Sequence, residues 1–116
     1  MALTHATSGE IVSLGPLTEA IDGFSSHALV KSSDFEAIRL FLAAGNVFKD
    51  HKVDGSITLQ CLEGAIDFRF DGETCAMGPG DWLYLDGGVI HSLSAREDSS
   101  LLLTIMLHNG PAPQRS

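Results

Sequence analysis

The sequence predicts an all-β fold, a sandwich or barrel of short strands, and three observations carry that expectation. From residue 28 onward, short apolar segments recur at regular spacing, the pattern of a chain that folds back on itself many times. Turn signals rich in glycine, proline and aspartate separate these segments. "RFDGET", residues 69–74, reads as a hairpin, because Asp71-Gly72 supplies the positive φ angles of a two-residue type I′ turn.

Taken in order, residues 1–27 form an N-terminal arm expected to pack on the barrel or on a partner subunit. Ile11, Val12, Leu14, Leu17, Ile21 and Phe24 are scattered through it without a sustained period, and a helical turn is expected at Leu17–Ile21. Residues 28–110 form the barrel domain, and residues 111–116 a flexible tail. Strands are expected at His27–Lys31, Phe35–Leu42, Ile57–Leu62, Ala65–Phe70, Glu73–Met77, Trp82–Leu85, Val89–Ser94 and Leu101–Leu107. Their connectors are Ala44-Gly45-Asn46, Asp54-Gly55, Glu63-Gly64, Asp71-Gly72, Gly78-Pro79-Gly80 and Asp86-Gly87-Gly88. One segment is ambiguous: "SSDFEAIRLFLAAGN" opens with a Ser/Asp cap and closes on glycine, as a helix would. The alternation of Ala37, Arg39 and Phe41 with Ile38, Leu40 and Leu42 favours a strand.

At 116 residues the chain has the length of one domain, and its 44% hydrophobic content suffices for a core. Fifteen acidic against seven basic residues give a net charge of −8, which argues against nucleic acid as a partner. No apolar run approaches the roughly 20 residues of a membrane span, and the N-terminus lacks a basic start. The expectation is a cytoplasmic protein without a membrane partner. Its two cysteines, Cys61 and Cys75, are expected as reduced thiols.

Two stretches carry more than fold class. "HKVDGSITLQCLEG" and "GDWLYLDGGVIHSLSA" resemble the paired motifs of the cupin superfamily, small jelly-roll barrels with a site inside. The resemblance spans about residues 36–107 and points to the small single-domain cupins. It implies an all-β, cupin-type jelly-roll barrel or sandwich with an N-terminal arm. The first family motif ends on a glycine, here Gly64. Counting back, His51 stands at its first histidine position, Val53 at the second and Ile57 at the glutamate. In the second motif Gly80, Asp81, Gly88 and His91 match, while Asp86 replaces the usual proline and Ala95 a frequent asparagine. Two of four implied metal ligands are therefore present, His51 and His91, a degenerate set. A divalent site normally needs three or more protein donors.

A third donor would have to come from the neighbouring residues. Strand alternation puts Ile57, Leu59 and Cys61 on one face, but Cys61 lies about 13 Å along the strand from Ile57 at roughly 3.3 Å per residue. Cys61 then reads as a small buried hydrophobe. Asp54 and His108 have suitable chemistry and equally good structural explanations, a turn and a strand end. Trp82 and Tyr84 share one strand face and Leu83 and Leu85 the other; the aromatic pair serves packing or lines a ligand wall.

The expected site is thus a small-molecule pocket anchored by His51 and His91, with Ile57, Trp82 and Tyr84 as further candidate ligand contacts and no catalytic residue assigned. Two alternatives stand beside it. One is a metal-dependent enzyme, a dioxygenase, isomerase or lyase on a small organic acid or sugar, holding iron, manganese, zinc or nickel. The other is a metal-free histidine acid/base catalyst. An apolar arm able to cover a sheet edge adds the expectation of a homodimer.

Overall fold

The structure, a computed structural model, describes residues 5–17 and 23–107. Nine strands occur among them: β1 (Phe24–Lys31), β2 (Phe35–Leu42), β3 (Val47–His51), β4 (Ile57–Glu63), β5 (Ile66–Phe70), β6 (Glu73–Met77), β7 (Trp82–Leu85), β8 (His91–Ala95) and β9 (Ser99–Met106). They form two layers, one ordered β1-β2-β9-β4-β7 and the other β3-β8-β5-β6. Every pairing is antiparallel. The all-β expectation holds. The ambiguous segment is strand β2, hydrogen-bonded to β1 on one side and β9 on the other. Its helix-like cap is real chemistry put to another use: Ser32 Oγ accepts the Asp34 and Phe35 amides within the turn that joins β1 to β2.

Alternation fixes what lies between the layers. On β4, Ile57, Leu59 and Cys61 are at most 3% exposed, while Thr58 and Gln60 are half-buried on the other face. Phe68, Leu93 and Leu101 close the same core from β5, β8 and β9. Strand β1 begins at Phe24, three residues earlier than the sequence suggested, and β3 was not foreseen at all. Between Phe48 and His51, β3 carries one residue more than β8, a β-bulge that interrupts the alternation by which a strand announces itself.

The described part of the arm lies on the chain's own five-stranded sheet. The Ala6 amide donates to Leu29 O at 2.7 Å and the Leu17 amide to Glu63 Oε2 at 2.6 Å. Arg39, 6% exposed, donates to Ser100 Oγ and to Gly15 O and rests over the Phe41 ring. The helical turn expected at Leu17–Ile21 falls mostly on residues 18–22, and the tail on 111–116; both lie outside the described residues, as does His108.

Two loops that each cross from one layer to the other are pinned together at one end. The Gly88 amide donates to Val53 O at 2.8 Å, tying the β7–β8 loop to the β3–β4 loop. Gly87 fits there because it has no Cβ; one added would run into the Asp54 carbonyl. Replacing Gly87 with Ala should therefore lower stability by about 1–3 kcal/mol in urea unfolding, the usual range for overpacking. Gly78→Ala, where a Cβ meets nothing within 4 Å, should stay within about 1 kcal/mol of the parent. Equal losses in the two variants would contradict the clamp.

Candidate functional site

The pinned loops bring the two motif histidines together. His51 closes β3, His91 opens β8, and the two are direct cross-strand partners. Their ring centroids are 5.6 Å apart with planes at 83°. Strand parity alone would not do this. Phe48 packs against the core, and His51 is three residues further on, so a regular strand would turn it outward. The bulge restores the inward direction, and the His51 ring meets Phe48 edge-on at 5.1 Å.

His91 is held from three sides. Phe68 stacks on its ring at 5.4 Å and 14°, His51 stands against it, and Val89 O lies 3.0 Å from Nδ1. A carbonyl only accepts, so Nδ1 carries the proton and the neutral ring keeps its lone pair at Nε2. Burial lowers the His91 pKa below the ordinary imidazole value of 6.5; the Val89 carbonyl works against this and the nearby His51 adds to it. The pair thus offers a buried neutral imidazole beside a half-buried one.

The other two positions of the family pattern are apolar in space as in sequence. Ile57 is 3% exposed within the core, and Val53 packs against it. Cys61 is fully buried toward the far end of β4, with its Sγ directed at Glu63 O and Gly64 O. Burial, and then the charge of Asp81, push its thiol pKa up, which disfavours the thiolate a metal needs. Asp54 lines a different cavity of about 230 Å³, with Glu36 and Ile105. Among the described residues no three His, Cys, Asp or Glu side chains come close enough to hold a metal. The chemistry of this donor set, two imidazoles without a third donor beside them among the described residues, does not fit a standard divalent site.

Trp82 and Tyr84 are not brought to the pair. They stand on the outward face of β7, 61% and 52% exposed, while Leu85 on the other face is buried. Tyr84 Oη donates to Asp86 Oδ1 at 2.7 Å and pairs with Ser56 Oγ.

Beside His91 a solvent-open cavity of about 670 Å³ extends across the end of the four-stranded sheet. His91, Phe70, Val89 and Ile90 line it along with Asp50, Arg69 and Asp71. Sequence reading missed these three charged residues as site candidates. Asp71 was hidden in the turn signal and Arg69 by its outward parity; only their closeness to the β5 partner of His91, Phe70, connects them to the site.

Comparison with known proteins places this geometry in context. A family model described as "Cupin domain" matches residues 39–107. No curated protein matches the chain. Among solved structures, a cupin superfamily protein from Desulfitobacterium hafniense DCB-2 aligns with a TM-score of 0.78 at 20% identity, over 93% of this chain and 100% of that one. KdgF from Halomonas sp. gives 0.68 at 20% identity, over 75% of this chain and 81% of its own. A variant of salicylate 1,2-dioxygenase from Pseudoaminobacter salicylatoxidans gives 0.68 at 23%, over 72% of this chain but only 26% of the enzyme. At these identities the likenesses establish the shared jelly-roll fold.

The lowered His91 pKa has a consequence for stability. A group whose pKa falls on folding contributes fully above its unfolded value, and the contribution is lost as pH drops through the folded value. The urea midpoint should hold above pH 6.5 and decline below it, and the decline should be shallower in His91→Asn. An NMR titration of the His91 ring should give a midpoint below 6.5; one at or above that value would contradict the burial argument.

Proposed function

Because the chain belongs to the cupin family, its model matching residues 39–107, we propose that it binds a small molecule in a pocket anchored by His51 and His91, without a complete standard metal site. One observation carries this reading: the two imidazoles face each other at the end of the barrel while Val53 and Ile57 occupy the other two ligand positions. His91 presents an acceptor at Nε2, and Phe68, Phe70 and Val89 supply apolar surface around it. The cavity of about 670 Å³ beside His91, lined by Phe70, Val89 and Ile90 together with Asp50, Arg69 and Asp71, lies within the common size range of ligand pockets. Cytoplasmic action belongs to the same reading, supported by Cys61 and Cys75 as free thiols.

Protein purified without chelator should then contain far less than one equivalent of iron, manganese, zinc or nickel. A stoichiometric content that disappears in the His51→Ala/His91→Ala variant would overturn the reading in favour of a metal-dependent cupin enzyme.

A second reading, metal-free proton transfer, draws on the fixed His91 tautomer. With Nδ1–H held by Val89 O, Nε2 is the one nitrogen free to accept a proton from a bound molecule.

We also propose that the chain pairs with a second copy through the outer face of the five-stranded sheet. Trp82 on the edge strand β7 continues across Gln60 and Leu102 to Arg39, a row without a carboxylate, so two chains of net charge −8 can meet along it without acidic side chains in contact. Sedimentation at micromolar concentration should show a dimer that Trp82→Glu dissociates. A monodisperse monomer would refute the pairing.

A further inference from the structure

The cavity beside His91 is lined by three charged side chains that make no ion pair with one another within 4.0 Å. Arg69 on β5, Asp50 in the β3 bulge and Asp71 in the β5–β6 turn all line it. Among the described residues the one ion pair within 4.0 Å is Arg96 with Asp67, so Arg69 meets neither carboxylate at that distance. A cation and two anions that share a concavity without pairing offer complementary groups to a ligand that carries both charges. Each backbone position is fixed. Arg69 lies in regular pairing with Ser92 and Thr74. Asp71 has φ 50°, the left-handed conformation its turn demands, which Gly72 continues at φ 75°. Phe70 and Val89 give the same cavity apolar lining, with Ile90 58% exposed beside them.

We propose that this cavity takes a small zwitterion with an aliphatic side chain, an amino acid or dipeptide. Its carboxylate pairs with the Arg69 guanidinium, its ammonium with Asp50 or Asp71, and its side chain lies on Phe70, Val89 and Ile90. The geometry of a planar guanidinium suits a carboxylate in two parallel hydrogen bonds, and an ammonium suits a carboxylate acceptor. The inference rests on the reading of the His51–His91 pocket as a ligand site, and it names the ligand's charge pattern.

The test is an amide and histidine-ring NMR titration with three probes: L-leucine, 4-methylpentanoate, which lacks the amine, and 3-methylbutylamine, which lacks the carboxylate. L-Leucine should give saturable shifts at Asp50, Arg69, Asp71 and Ile90, and each truncated probe should bind at least about tenfold more weakly. Arg69→Gln should weaken L-leucine by a similar factor, with folding checked by its unchanged amide spectrum elsewhere; Asp50→Asn/Asp71→Asn gives a second, independent variant. If 4-methylpentanoate binds as tightly as L-leucine and shifts the His51 and His91 rings, the zwitterion inference falls and the His-anchored pocket stands. If L-leucine binding needs Arg69 but is unchanged in His51→Ala/His91→Ala, the inference stands and the anchoring by histidine falls. No saturable shift with any probe up to about 10 mM overturns the inference.

Discussion

Between Phe48 and His51, β3 carries one residue more than the strand it pairs with, and the arrangement of the site follows from that extra residue. Side chains three apart on a regular strand point to opposite faces, so Phe48 in the core would send His51 to solvent. The bulge lets one short strand satisfy two demands: an aromatic anchor on Phe24 at 4.9 Å and an imidazole turned toward His91. A bulge leaves a residue unpaired and bends the strand. Here that bend is where Asp50 joins the cavity wall.

Once the imidazoles face each other, charge becomes the next constraint. Two unit charges 5.6 Å apart would repel by about 3 kcal/mol at an effective dielectric of 20. Burial of His91 against Phe68 acts in the same direction. Burial thus favours the neutral form of His91, which suits it to accept a hydrogen bond or a proton from a ligand at Nε2. Ile57 and Val53, apolar at the other two positions of the family pattern, withhold the further oxygen or nitrogen donors that a divalent ion would require. The Gly88–Val53 hydrogen bond keeps the two motif loops in register, so the site depends on a backbone contact that neither motif shows by itself.

Much of the barrel was legible because alternation is a local property. The burial of Ile57, Leu59 and Cys61 on one face of β4 follows from reading every second residue, and the Asp71-Gly72 turn from two adjacent residue types. β3 escaped for the converse reason: "VFKDH" does not alternate, since its bulge breaks the period, and only pairing with β8 makes it a strand. Motif spacing brought out His51 and His91 as partners. It could not bring out Arg69, Asp50 or Asp71, which meet through the stacking of three strands and a turn and carry no spacing in the sequence. Trp82 and Tyr84 show the limit of periodicity in another way: parity tells which residues share a face, and only the sheet order tells that their face is the outer one.

The inward turn of His51 is the central structural claim, and cross-relaxation between the His51 and His91 ring protons reads it directly. Rings with centroids 5.6 Å apart and planes at 83° should give clear nuclear Overhauser contacts between the two imidazoles, and from His51 to Phe48. A His51 ring with contacts to neither, and with solvent-exposed relaxation, would place it outside the barrel and contradict the account.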